Sequence, residues 1–249
     1  MNNNHGKTAW ITGGGSGIGR ELALQLAAQD WQVVVSGRTQ AKLDEVCTAA
    51  PAGTVKALAL DVTDLKAMRD AATEIGTIDL AVFNAGVFAA FDAKKFDAES
   101  VLKTMNVNYA GAVHGIDAVL PGMRERRQGH IALVASVAGY RGLPLAAPYS
   151  ASKAAMIALC ESLKFDFDEI GLKTTVITPG FVKTPLTDQN EFPMPFLVEV
   201  EYAARIIREG LEAGKFEITF PKRLSYPLKI MRSLPYALYF PLMRKSTGR

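Results

Sequence analysis

Short apolar stretches alternate with amphipathic ones from the eighth residue to about the 220th, and this alternation constrains the fold more than any other feature. Residues 8–12 (T-A-W-I-T) read as a strand, 17–29 as an amphipathic helix, and 32–37, with Val33, Val34 and Val35 in a row, as a buried strand. That is one βαβ unit. Further helical patterns occupy 39–49, 64–75 (opened by Asp64), about 98–127, 149–170 and about 199–212. Further strands are expected at 55–60, 78–84, 130–134, 173–178 and 216–220. Strands joined by helical crossovers run parallel, so the expected class is α/β: a doubly wound, seven-stranded parallel sheet with helices on both faces. No repeat, low-complexity stretch or long linker divides the chain, and 1–249 is expected to form a single domain with a large core.

Composition excludes several classes. The only cysteines, Cys47 and Cys160, have no histidines at ligand spacing, so two reduced packing thiols and no metal site are expected. Residues 1–7 are polar and lack an apolar signal core, and nowhere do eighteen apolar residues run together, so a cytoplasmic, non-spanning protein is expected. The net charge of +3 is unevenly spread. From Lys222 onward there are seven basic residues and no acidic ones, which leaves the preceding body mildly acidic.

Two local patterns carry chemistry. T-G-G-G-S-G-I-G at 12–19 lies between the first strand and first helix, where glycines let the backbone approach a pyrophosphate and the helix N-terminus neutralises its charge. Tyr149 and Lys153 stand one helical turn apart in Y-S-A-S-K, thirteen residues beyond Ser136, and a phenol beside an ammonium can share a proton. Together these patterns suggest hydride transfer from a nicotinamide. The end of the second strand, Val35-Ser36-Gly37-Arg38-Thr39, lacks the carboxylate that binds both ribose hydroxyls of NAD, while Arg38 can fork onto a 2′-phosphate. NADP(H) is therefore favoured over NAD(H), with Ser36, Thr39 and Lys42 also within range of the phosphate.

With Asp61-Val62 after the third strand, Asn84-Ala85-Gly86 after the fourth, Asn108, Ser136, Tyr149-x-x-x-Lys153 and Pro179-Gly180 after the sixth, the chain resembles the short-chain dehydrogenase/reductase family over about residues 8–184. The resemblance implies a Rossmann-type sheet. It also implies that Tyr149 protonates a carbonyl or deprotonates an alcohol, and that Ser136 hydrogen-bonds the oxygen gaining negative charge. Lys153 would hold the nicotinamide ribose and lower the phenol's pKa, and Asn108 would hold a water linking Lys153 to solvent. The cofactor would be met by Gly13, Gly15, Ser16, Gly17, Ile18, Gly19 and Arg38, with Asp61 and Val62 at adenine. Asn84, Ala85 and Gly86 would lie at the adenosine ribose and sheet edge, Tyr149 and Lys153 at the nicotinamide end. Pro179, Gly180, Val182 and Thr184 would lie by the nicotinamide amide and phosphate. A homodimer or homotetramer through the helices at about 98–127 and 149–170 is implied as well.

Ligands of open α/β sheets sit beyond the carboxyl ends of the strands. The substrate walls are therefore expected at 87–91, 137–145 and a lid at about 186–198, with Phe88, Phe91, Tyr140, Leu143, Leu145, Phe192, Met194 and Phe196, and with Arg141 as the cation. An apolar, even lipid-like, ketone, aldehyde or secondary alcohol fits such walls better than a sugar. The tail, 222–249, interleaves aromatics and aliphatics with basic residues and contains Pro227, Pro235 and Pro241. It reads either as a peripheral membrane contact or as a segment packed on protein. The prolines favour packing because they prevent one continuous amphipathic helix. No nucleic-acid motif accompanies the charge. A cofactor-sensing protein and a membrane-associated scaffold on the same fold, without significant turnover, are the alternative classes; the complete set Asn108, Ser136, Tyr149 and Lys153 argues against them.

Overall fold

The computed structural model describes residues 6–188, 190 and 192–248. The first five residues of the polar start, Gln189 and Glu191 of the expected lid, and Arg249 of the tail lie outside the described residues. Seven strands form one parallel sheet: β1 (Thr8–Thr12), β2 (Gln32–Gly37), β3 (Val55–Ala59), β4 (Leu80–Phe83), β5 (His130–Val134), β6 (Lys173–Pro179) and β7 (Glu217–Phe220). Their spatial order is β3-β2-β1-β4-β5-β6-β7, so the winding reverses between β1 and β4. This is the expected Rossmann-type arrangement, and the reversal opens a crevice beyond the carboxyl ends of the strands.

Alternation along each strand divides the core into two layers. Trp10, Val34, Phe83, Ile131, Leu133 and Val176 face one side, where they meet α3 (Leu65–Ile75), α5 (Gly111–Arg126) and α6 (Ala147–Glu169). Ile11, Val33, Val35, Val82, Ala132 and Ile177 face the other, against α1 (Gly17–Ala27), α2 (Gln40–Ala49) and α7 (Val200–Glu212). The central strands carry apolar residues on both faces because both are covered, which is why their sequences lack polar alternation.

Two expectations change. The long helix at 98–127 is three pieces: α4 (Ala98–Met105), a π-helical turn at Asn106–Ala110, and α5. The turn is closed by Gly111 N–H donating to the Asn106 carbonyl, five residues back rather than four, so the ladder slips where Asn108 must reach inward. The tail prolines break less than expected. Only Pro235 separates helices; Pro227 lies inside α8 (Lys222–Arg232) and Pro241 inside α9 (Tyr236–Thr247). Each removes its own N–H from the ladder, and tertiary anchors described below hold both helices despite that loss.

Candidate active site

The glycine loop is tied into the crevice from both sides. Gly14 N–H donates to the Ser36 carbonyl at the end of β2 (3.0 Å), and the Asn84 side-chain amide donates to the carbonyls of Thr12 and Gly13 (3.1 Å each). Thr12 Oγ1 accepts in return from the N–H groups of Asn84 and Ala85 at 3.1 and 3.2 Å. A Cβ on Gly19 would lie 2.5 Å from the Gly13 oxygen, and one on Gly13, at φ +66°, 2.8 Å from Ala85 Cα. Only glycine permits this approach. Ser16 caps α1 by position, but its side chain makes no capping bond and the first turn contains no acid. The N–H groups of the first turn are therefore open to an anion, which fits a cofactor pyrophosphate. Thr184 stands over this end: a Cβ on Gly17 would lie 3.1 Å from its methyl.

At the end of β2, Arg38 is exposed and has no acidic ion-pair partner among the described residues. Lys42 lies beside Gly15, its Cβ 3.2 Å from where a Cβ would stand. Ser36 is corrected: it is fully buried and its Oγ accepts from Trp10 Nε1 at 2.8 Å, so it faces the core and not a phosphate. Asp61 accepts from the Thr63 N–H (2.9 Å) and hydroxyl (2.8 Å). These bonds, chiefly the N–H, hold its carboxyl below the usual range against the opposing effect of burial, with a contribution from the Arg38 charge. Val62 is buried beside it.

Ser136, Tyr149 and Lys153 converge where β5 ends and α6 begins. Ser136 Oγ donates to the Pro179 carbonyl (3.3 Å) and accepts from Ala138 N–H (3.1 Å), which sets the turn after β5. The Tyr149 ring remains partly exposed, with Phe88 edge-on at 5.2 Å. Desolvation pushes its phenol up, and the Ser136 hydroxyl pulls it back. Lys153 is buried; its Nζ donates to the Val134 carbonyl at 2.7 Å and lies 5.6 Å from the centre of the Tyr149 ring. Burial lowers its pKa to about 7. The Nζ thus points at a main-chain carbonyl while standing close to the Tyr149 ring. Asn108, fully buried on the π turn, has both ends of its amide committed. Its oxygen accepts from Val87 N–H (2.7 Å), and its nitrogen donates to the Val87 carbonyl and to Ser152 Oγ (3.0 Å each).

The expected walls are sorted by the structure. Phe88 lines the Tyr149 side, and Phe91 N–H donates to the Leu145 carbonyl (2.8 Å), joining two wall segments. Tyr140 and Arg141 do not line the substrate space. Tyr140 is buried, with its hydroxyl on Thr178 (2.8 Å), Glu217 (2.8 Å) and Thr219 (3.1 Å). Arg141 turns to the tail, where it donates to the carbonyls of Met231, Arg232 and Leu234. The base of the lid is pinned by a bridge between buried Val182 and Val198, and Thr187 Oγ1 bonds the Val182 carbonyl at 2.6 Å. Gly180 N–H donates to the Phe220 carbonyl (2.7 Å), which seats the Pro179-Gly180 turn on β7.

Sequence reasoning missed Thr12, Ser152 and the Val134 carbonyl. Thr12 opens the glycine motif, and Ser152 stands beside Lys153 in Y-S-A-S-K, so their places in the motifs were the available signals. Backbone acceptors such as Val134 leave no trace in side-chain patterns. A cavity of about 280 Å³ bounded by Trp31, His130 and Lys173 lies at the opposite, amino-terminal ends of the strands, remote from Tyr149.

Residues 7–193 match the family model described as short chain dehydrogenase. An uncharacterized oxidoreductase of Myxococcus xanthus is 41% identical over 245 residues, covering 96% of this chain and 97% of its own. The 17-beta-hydroxysteroid dehydrogenase 13 of Rattus norvegicus is 32% identical over 247 residues, covering 95% and 80%. Among solved structures, a short chain dehydrogenase/reductase family protein superposes with a TM-score of 0.80 at 26% identity, covering 87% of this chain and 95% of that one.

Proposed function

The chain belongs to the short-chain dehydrogenase family, and on that premise we propose that it is an NADP(H)-dependent oxidoreductase interconverting an apolar carbonyl and its alcohol. Membership makes it an oxidoreductase acting on CH–OH or C=O groups. The observation that carries the finer reading is the meeting of Ser136, Tyr149 and Lys153 at the carboxyl ends of the strands, where the uncapped end of α1 also opens.

Bound along the loop from Gly13 to Gly19, the nicotinamide dinucleotide supplies a hydride in reduction and accepts one in oxidation. The chain does the rest. Tyr149 gives its phenolic proton to the carbonyl oxygen in reduction and takes the alcohol proton in oxidation. Ser136 turns its hydroxyl from Pro179 to that oxygen and stabilises the charge that develops there. In its charged form Lys153, close to the ring, favours the phenolate. Among the described residues Lys153 Nζ engages one main-chain oxygen and, at 3.7 Å, the Met156 sulfur, so donor capacity remains for a ribose hydroxyl. The side-chain amide of Asn108 is fully engaged, so its water-holding role passes to its main chain, in the turn where the helical ladder slips.

Arg38, exposed and without an acidic ion-pair partner among the described residues, and no carboxylate at Gly37, support NADP(H). Phe88 on Tyr149, together with Leu143, Leu145, Phe192 and Met194, supports an apolar substrate, and the rat relative, named as a hydroxysteroid dehydrogenase, points the same way. Phe165 on α6 and Leu102 on α4, 76% and 67% exposed, support subunit pairing across these helices.

The test is NADPH and NADH oxidation with a panel of soluble and apolar aldehydes and ketones, on wild type and on Tyr149→Phe. NADPH-dependent turnover should fall by roughly 10²-fold or more in the variant, with NADPH affinity within about twofold of wild type. Near-normal turnover without the hydroxyl would remove Tyr149 as the acid, and preference for NADH would remove the cofactor assignment.

A further inference from the structure

The tail is anchored on one side and exposed on the other. Arg141 holds it from the loop between Ser136 and Tyr149: its guanidinium donates to three carbonyls at the end of α8 and lies 4.5 and 4.0 Å from the ring centres of Tyr236 and Tyr239. Tyr239 donates its hydroxyl to the Gly142 carbonyl at 2.5 Å. Lys229 pairs with Glu217, and Leu224 and Leu228 of α8 pack on the core. Of α9, only Tyr239 and Met243, an i, i+4 pair, are buried.

The rest of α9 exposes large apolar groups. Leu238 is 54% and Phe240 56% exposed, and Tyr236 and Leu242 stand beside them, with Tyr226 and Ile230 exposed on α8. Intramolecular packing covers none of these six well, and each keeps apolar area in water at a cost of about 25 cal/mol per Å². The same segment is acid-free, and Lys222, Arg223, Arg244 and Lys245 have no acidic partner among the described residues. A second copy offering this same surface across a two-fold axis would bring like charges together. A bilayer with anionic headgroups supplies both missing complements, an apolar boundary for the rings and negative charge for the lysines and arginines. Spanning is ruled out by length: α9 has 12 residues, about 18 Å at helical rise, against a hydrocarbon core of about 30 Å.

We infer that α8 and α9 form a docking surface for anionic phospholipid membranes, lying on the bilayer and held beside the loop that leads from Ser136 to Tyr149. The inference is independent of the chemistry proposed above, because binding is read without turnover.

The experiment is co-sedimentation of the full chain with vesicles of phosphatidylcholine alone or with about one third phosphatidylglycerol, at low and high salt. Wild type should bind the anionic vesicles at least fivefold more than the neutral ones, and salt should release most of it. Leu238→Glu/Phe240→Glu should lose at least tenfold in vesicle affinity while keeping the wild-type melting temperature and NADPH binding. Arg244→Glu/Lys245→Glu, folded by the same criteria, should bind anionic vesicles several-fold less. Absence of wild-type binding at low salt overturns the inference, as does equal binding to neutral and anionic vesicles. A Leu238→Glu/Phe240→Glu protein that still binds vesicles but has lost a wild-type oligomer assigns the surface to a second copy, and likewise overturns it.

Discussion

Replacing Lys153 by Met should stabilise the apo protein at neutral pH while abolishing turnover. In the fold, burial lowers this ammonium from an ordinary value of 10.5 to about 7, and its nearest oxygen acceptor is the Val134 carbonyl at 2.7 Å. In the unfolded chain it titrates near its ordinary value. Between about pH 7 and 10.5 the unfolded chain therefore holds a proton that the fold has released, so raising the pH through this window favours the fold. Below it both states are charged, and the fold carries the whole desolvation cost. A shift of that size has a ceiling of about 5 kcal/mol at 1.36 kcal/mol per unit. Exchange of a buried charge for a packed apolar side chain of similar length should recover roughly 1–4 kcal/mol. The assay is urea unfolding of wild type and Lys153→Met from pH 6 to 10. The difference between the two cancels every other titrating group: it should be largest at or below pH 7 and shrink towards pH 10. A difference independent of pH would show that the cost of Lys153 is not one of charge burial.

Two further outcomes follow from the geometry. Arg38→Ala should weaken NADPH by roughly 10- to 100-fold, the equivalent of a lost charge-assisted bond of about 1.5–3 kcal/mol, and leave NADH within about twofold; equal loss for both, by fluorescence titration, would place Arg38 on adenine. Leu102→Glu/Phe165→Glu, at two exposed positions away from the site, should shift light-scattering mass towards the monomer, and an unchanged mass would move the subunit interface elsewhere.

The fold was legible because a parallel sheet writes itself as apolar runs spaced by helical periods, and all seven strands fall where those runs lie. The glycine loop was legible for a similar reason, since Gly13 and Gly19 answer to backbone contacts under 3 Å that no other residue tolerates. Legibility ended where one residue type serves two environments. Arg141 and Tyr140 are polar-tipped side chains in a loop at the crevice, and nothing local distinguishes a substrate contact from a bond to a helix end or a strand 77 residues away. The π turn was hidden because Asn106–Ala110 continues an unbroken helical pattern. Its slip is driven by the tertiary bonds of Asn108 to Val87 and Ser152, not by local propensity.

The loop from Ser136 to Tyr149 connects these observations. In the proposed reaction Ser136 would have to hold its hydroxyl to within about half an ångström to stabilise charge on the reacting oxygen. Four residues on, Tyr140 locks the turn to β6 and β7 through Thr178, Glu217 and Thr219, and Glu217 is in turn paired with Lys229 of α8. One residue further, Arg141 ties the same loop to the end of α8 and to the rings of α9. The family match ends at residue 193, yet the segment after Lys222 supplies several of the groups that fix this loop. The loop that starts at Ser136 is thus tied to the tail through Tyr140 and Arg141, and it also packs on α6, where a Cβ on Gly139 would lie 2.7 Å from the Lys153 carbonyl oxygen.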